Sequence, residues 1–361
     1  MRNRLLLLPV LAAVLLAFAG CENTDPEPPF TADAAEAHHY QLPVIFHVFQ
    51  DASDSGERMS AARAVAIIDG CNKYFQNKKA SGSVDMNLEF IAATADPKGK
   101  PLSEGGIHRV TVSNPTMDFT AFMKDKKNIE YLWDPNEYIN VMVYPFRSEA
   151  NAETFTLGAA HLPYTVRPDH LDGLESTDVF LTLENLGYPH CISLNKTYIN
   201  EQESVVGSFY NSLDPVSALA HELGHYLGLH HAFNEGEGDD LDLCANTDYC
   251  DDTPAYNRGE YLDFLDRYTP ISGDKITLED LRVLTLRKDC LTHEESTPNN
   301  VMDYDISWVN RFTTDQRARV RYVLARSPLV PGPKVKKGAA TRSVSGPIDL
   351  PMRMMKCTKR R

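Results

Sequence analysis

The sequence predicts an α+β fold: a twisted mixed sheet and a histidine-bearing helix set above an irregular second part. Three observations carry that reading. Strand and helix patterns fill the first half, a strongly capped helix begins at Pro215, and from Asn234 onward the chain is acidic and rich in turns.

Leu42–Phe49 (LPVIFHVF) is β-branched and aromatic, as expected of a buried strand. Ser60 to Asn77 sets Val65, Ile68, Cys71, Tyr74 and Phe75 at helical spacing. Met86–Ala92 alternates like a half-buried strand, and Tyr138–Tyr144 reads as another, stopped by Pro145. Thr156–Leu162 is a short strand ended by Pro163, with weaker strand signals at Phe180–Leu186 and Cys191–Leu194. Asp214 followed by Pro215 is a capping residue with proline at the first helical position. The helix then runs to Leu227, and Gly228 is placed to end it in a left-handed conformation. A last helix spans Thr314–Ala325, capped by Thr313 or Thr314.

The ends differ in composition. Met1–Arg4 is positive and Leu5–Ala19 is largely apolar, too short for a comfortable membrane span and suited to a signal segment over residues 1–20. Small residues before Cys21 resemble a bacterial lipobox, so Cys21 is the expected lipidation site, with residues 21–39 a flexible tether. The expectation is export and lipid anchoring to a bacterial membrane, at the outer membrane or cell surface, with plain secretion as the alternative. The Pro-, Gly- and Lys-rich stretch 327–361 reads as a basic flexible tail. The formal charge of −14 gathers as +8 after Pro331 and −22 before it, which argues against a nucleic-acid partner.

Chemistry concentrates in His221-Glu222-Leu223-Gly224-His225-Tyr226-Leu227-Gly228-Leu229-His230-His231, which holds four of the chain's twelve histidines. His221 and His225, four apart on a helix, face one ion. Glu222 lies beside them as a general base. Zinc with three protein ligands keeps an open position and lowers the pKa of a water to about 7. A third ligand requires the chain to turn after the helix, and Gly228 supplies the turn. Spacing HExxHxxGxxH selects His231, leaving His230 one place early; this is the metzincin signature. Downstream, Asn299-Asn300-Val301-Met302-Asp303-Tyr304 fits the accompanying methionine turn. Met302 would floor the three imidazoles, and Tyr304 would hydrogen-bond a developing oxyanion.

With Asp251-Asp252-Thr253-Pro254 and Phe312-Thr313-Thr314-Asp315-Gln316, these stretches resemble the pappalysin-type metzincins, in particular their bacterial zinc-dependent lipoproteins. LPVIFHVF and Trp133–Val143 match the same pattern upstream. The resemblance covers about residues 40–326 and implies a zincin catalytic domain, with an upper part to His231 and a lower part over 232–326. It implies zinc on His221, His225 and His231, Glu222 as base, and Met302 with Tyr304 in the turn. It also implies an upper-rim strand at Leu157–Leu162 that pairs with an extended peptide substrate. Structural calcium is implied for some relatives, and Asp251, Asp252 and Thr253 are its candidates here. Asp305 is a candidate for selecting arginine. Because Cys250 stands where the family usually has no cysteine, either Cys244–Cys290 or Cys250–Cys290 is the lower disulfide. No cysteine lies between Cys21 and Leu42, so latency through a cysteine-bearing pro-segment is not expected. The rival readings are an inactive cell-surface binding lipoprotein on the same fold, and a zinc hydrolase of non-peptide bonds.

Overall fold

The computed structural model describes residues 30–52, 59–147, 154–201, 214–233, 244, 248–271, 277–304, 307–335 and 344–360. Residues 1–29, with the signal segment and Cys21, lie outside them, as does Asp305.

Helix α1 (Ala32–Ala37) leads into β1 (Tyr40–Gln50), and α2 (Ala61–Phe75) then crosses to β2 (Leu88–Ala92) and β3 (Ile107–Thr111). After α3 (Phe119–Lys124) come β4 (Ile139–Tyr144), β5 (Thr154–His161), the short pair β6 (Tyr164–Val166) and β7 (Glu175–Thr177), and β8 (Ile192–Asn195). Helix α4 (Pro215–Tyr226) opens the second half, followed by α5 (Arg258–Arg267) and α6 (Leu278–Leu284). The two-residue strands β9 (Arg287–Lys288) and β10 (Glu295–Ser296), α7 (Thr314–Arg326) and β11 (Met354–Arg360) complete the chain.

The main sheet runs β11-β5-β8-β4-β1-β2, with β3 also pairing β1. Strands β1 to β4 and β8 pair in parallel, while β5 is antiparallel to β8 and β11 is antiparallel to β5. A parallel sheet needs both faces covered, which explains why β1 is buried almost throughout. On one face Phe46, Val141 and Leu194 pack against α2 and α4 through Ile67, Ile68, Leu219 and Leu223. On the other, Phe49, Met142, Tyr144 and Tyr164 meet Phe122, Leu132 and Leu181.

Several expectations needed correction. Phe180–Leu186 is no strand: its only regular piece is a 3₁₀ turn, Leu183–Asn185, held by reciprocal bonds between Thr182 and Asn185. Within the stretch read as a tether, Thr31 caps α1, and the buried Arg321 of α7 donates to the carbonyls of Ala35, Glu36 (2.9 Å) and His38 (2.8 Å). Composition hid this because the donor lies almost three hundred residues away. The stretch read as a flexible tail also packs on the body. Ile348, Leu350 and Met352 join the second core, Ile348 N–H donates to the Asn185 carbonyl (2.9 Å), and residues 354–360 form an edge strand.

His47, fully buried on β1, bonds Asn140 Oδ1 through Nε2 (2.9 Å) and His108 Nδ1 through Nδ1 (2.9 Å). Burial pushes its pKa down to about 3, partly opposed by Asn140. The unfolded imidazole protonates near 6.5, so between about pH 6.5 and 3 the unfolded chain binds more protons and stability falls as pH falls. From pH 7 to 4 this one group should remove about 3 kcal/mol. Urea midpoints at both pH values should show a smaller acid loss in His47→Gln than in the parent; equal losses would exclude His47 as the source.

Candidate metal centre

Helix α4 is built to hold its histidines still. Asp214 caps it, accepting from Val216 N–H (3.0 Å) and Ser217 N–H (3.3 Å), with Pro215 next. At its other end Gly228 takes φ +91°, Gly228 N–H donates to His225 O, and Leu229 N–H reaches back to Gly224 O (2.9 Å each). The bend is braced by Arg319 of α7, whose guanidinium donates to the Gly228 carbonyl at 3.1 and 3.3 Å. This reversal delivers His231.

Among the described residues, His221, His225 and His231 are the one group that brings metal-ligating atoms together. Their Nε2 atoms lie 3.0, 3.0 and 3.1 Å apart, and all three side chains are buried. His221 Nδ1 faces the Val301 carbonyl (2.7 Å) and His225 Nδ1 the Leu229 carbonyl (2.8 Å). A carbonyl only accepts, so both Nδ1 atoms carry the proton, and the Nε2 lone pairs point inward at one another. Burial, and after it the charges of His231 and His221, pushes His225 well below the usual imidazole range. Lone pairs packed this closely without protons fit a divalent cation among them.

His230 turns elsewhere: its Nε2 lies 3.1 Å from the Gly173 carbonyl, and its ring sits edge-on to Tyr249. Met302 is buried beneath α4, so close that a Cβ on Gly224 would lie 2.4 Å from its sulfur. Its carbonyl accepts from Ala232 N–H (3.0 Å), tying the turn to the residue after His231. Asn300 and Gln316 exchange two amide bonds (3.0 and 3.1 Å), joining this turn to the start of α7. The Tyr304 ring lies 4.3 Å from that of His231, which stacks on Phe233 at 4.9 Å.

Glu222 is fully buried, and burial pushes its carboxyl well above the usual range, opposed by one backbone N–H. That N–H belongs to Cys357, 3.0 Å from Oε1; Oε2 has no hydrogen-bond partner among the described residues. Gly158 of β5 makes the room, since a Cβ there would meet Glu222 Cγ at 2.7 Å. The sequence reading missed Gly158, Gly224 and Arg319. Only Gly224 carried a local signal, as a glycine inside a helix.

The disulfide is Cys244–Cys290, and Cys250 is buried, its N–H donating to Asp248 Oδ1 (3.0 Å). Asp251 and Asp252 work at the start of α7: Asp251 N–H donates to Asp315 (2.9 Å), and Asp252 accepts from Asp315 N–H (3.0 Å). The Thr253 hydroxyl donates to Asp248 and to the Cys250 carbonyl. The acidic residues of the preceding loop, Glu235 to Asp242, lie outside the described residues.

Residues 194–325 match the family model described as Pregnancy-associated plasma protein-A, a peptidase family. Among solved structures, a promirolysin mutant of Tannerella forsythia aligns with TM-score 0.52 and 20% identity, over 81% of this chain and 84% of that one. Mature mirolysin of Tannerella forsythia in complex with a cleaved peptide aligns with TM-score 0.49 and 22% identity, over 79% of this chain and 91% of that one. No curated protein matches. The promirolysin likeness shows a shared fold, here a mixed sheet carrying helices on its faces.

Proposed function

We propose that this chain, a pappalysin-type metalloprotease, is a zinc-dependent endopeptidase acting on extended peptides. The observation that carries the proposal is the convergence of three inward-facing Nε2 atoms beside a buried carboxylate that is not among them. His221, His225 and His231 would hold the ion. Zinc, when bound there, supplies Lewis acidity that polarises the peptide carbonyl and makes a water acidic enough to be used at neutral pH.

The chain's own residues do the rest. Glu222 takes the proton from the attacking water and returns it to the leaving peptide nitrogen. Its position against Gly158 keeps the carboxylate at the β5 edge, where a substrate backbone would lie. Tyr304, packed on His231, is the residue for the oxyanion side. Val301 and Leu229 fix the two helix imidazoles through their carbonyls.

Residues 40–326 form the proposed catalytic unit. Export by residues 1–20 and lipidation at Cys21 would place it on a bacterial membrane; no helix among the described residues is long and apolar enough to cross one. Calcium at Asp251, Asp252 and Thr253 and arginine selection by Asp305 belong to the same proposal. Cleavage profiling on a proteome-derived peptide library should yield internal cuts that a chelator abolishes and added zinc restores. Cuts that survive complete zinc removal would sink the reading.

A further inference from the structure

The β5 edge is already filled. β11 pairs with it antiparallel, setting Met354 opposite His161, Met355 opposite Ala160, Lys356 opposite Ala159 and Cys357 opposite Gly158. After a register shift, Thr358, Lys359 and Arg360 continue opposite Thr156, Phe155 and Thr154. Leu162 N–H extends the ladder to the Arg353 carbonyl (3.0 Å). At the level of the metal centre the Cys357 N–H bonds Glu222, and this is the only hydrogen bond found for that carboxylate among the described residues. A backbone nitrogen on that carboxylate stands where the base would meet a substrate's leaving nitrogen.

The segment reaches the edge already tethered. The Asn185 amide donates to Gly346 O (3.3 Å), Tyr164 OH donates to Pro351 O (3.0 Å), and Met352 and Met354 sit against the second core. Lys356, exposed on this strand, carries a charge opposite to the formal −22 of residues 1–330.

We propose that residues 354–360 occupy the substrate edge as an extended substrate would, so that the chain is latent until this strand is displaced or cut; this rests on the endopeptidase reading of the same cleft. One strand edge accepts one partner. A tethered occupant competes at an effective concentration on the order of millimolar, whereas a free peptide at micromolar levels is outnumbered about a thousandfold.

The test uses the full zinc-loaded chain with a site-specific protease sequence inserted between Ser343 and Val344. Its probe is a fluorescent peptide copying residues 351–360. Before cutting, probe binding should be weak and casein cleavage slow. After cutting and dilution, probe affinity and kcat/KM should each rise at least about tenfold, given that effective concentration. In the uncut chain Cys357→Pro, which removes the N–H on Glu222, should move both in the same direction. Unchanged probe binding in both the cut chain and Cys357→Pro would overturn the proposal. A rise in probe binding without any cleavage, with zinc in place, would support the occupied edge and overturn the endopeptidase reading instead.

Discussion

Replacing Glu222 by Ala is expected to lower kcat/KM by about 10²–10⁴-fold, the usual contribution of a positioned acid–base group. Zinc content should stay at that of the parent. The separation follows from the contacts: His221 and His225 take their orientation from the Val301 and Leu229 carbonyls, and Glu222 lies against Gly158 and the Cys357 N–H. Stability should hold or rise, because the variant removes a fully buried carboxyl that burial already penalises. Parent and variant would be compared after release of the last strand, with zinc content and thermal midpoint measured alongside rates on casein. Undiminished cleavage by Glu222→Ala would rule out the glutamate-base mechanism.

The second large effect separates two adjacent histidines. His231→Ala should weaken zinc binding by more than the 10–100-fold cost of losing an outer-shell partner, because a direct ligand is lost. His230→Ala should retain zinc, since its Nε2 bonds the Gly173 carbonyl and its ring rests on Tyr249. Competition with a colorimetric chelator gives both affinities. Metal loss in His230→Ala with retention in His231→Ala would mean that the chain leaves Gly228 in a different register.

The centre was legible because its parts are close in sequence and obey fixed spacings: four residues on a helix, then a glycine turn. The core strands β1, β4 and β5 and the helices α2, α4 and α7 were legible from periodicity and caps. Strand β3 (IHRVT) was not, because its five residues show no clear alternation and their pairing with β1 is set by tertiary contact. The ends were misread for a related reason. Composition reports how well a segment could fold alone, and α1 and β11 are ordered by partners far along the chain, Arg321 for one and the β5 edge for the other. Gly158 gave no sign, since its need for a missing side chain appears only when Glu222 arrives from α4.

The docking of α1 on Arg321 also sets a working radius. With residues 31–38 fastened to the body, ten residues, 21–30, separate a lipid proposed at Cys21 from that fastened segment. Fully extended, this leash spans about 30 Å. A lipid at Cys21 would then keep the cleft within roughly one domain diameter of the bilayer. Such an enzyme would patrol a thin layer, meeting membrane-bound and surface-adsorbed chains far more often than those in the bulk. Lengthening the leash, with the cleft untouched, should widen the set of proteins it cuts in vesicle-reconstituted mixtures.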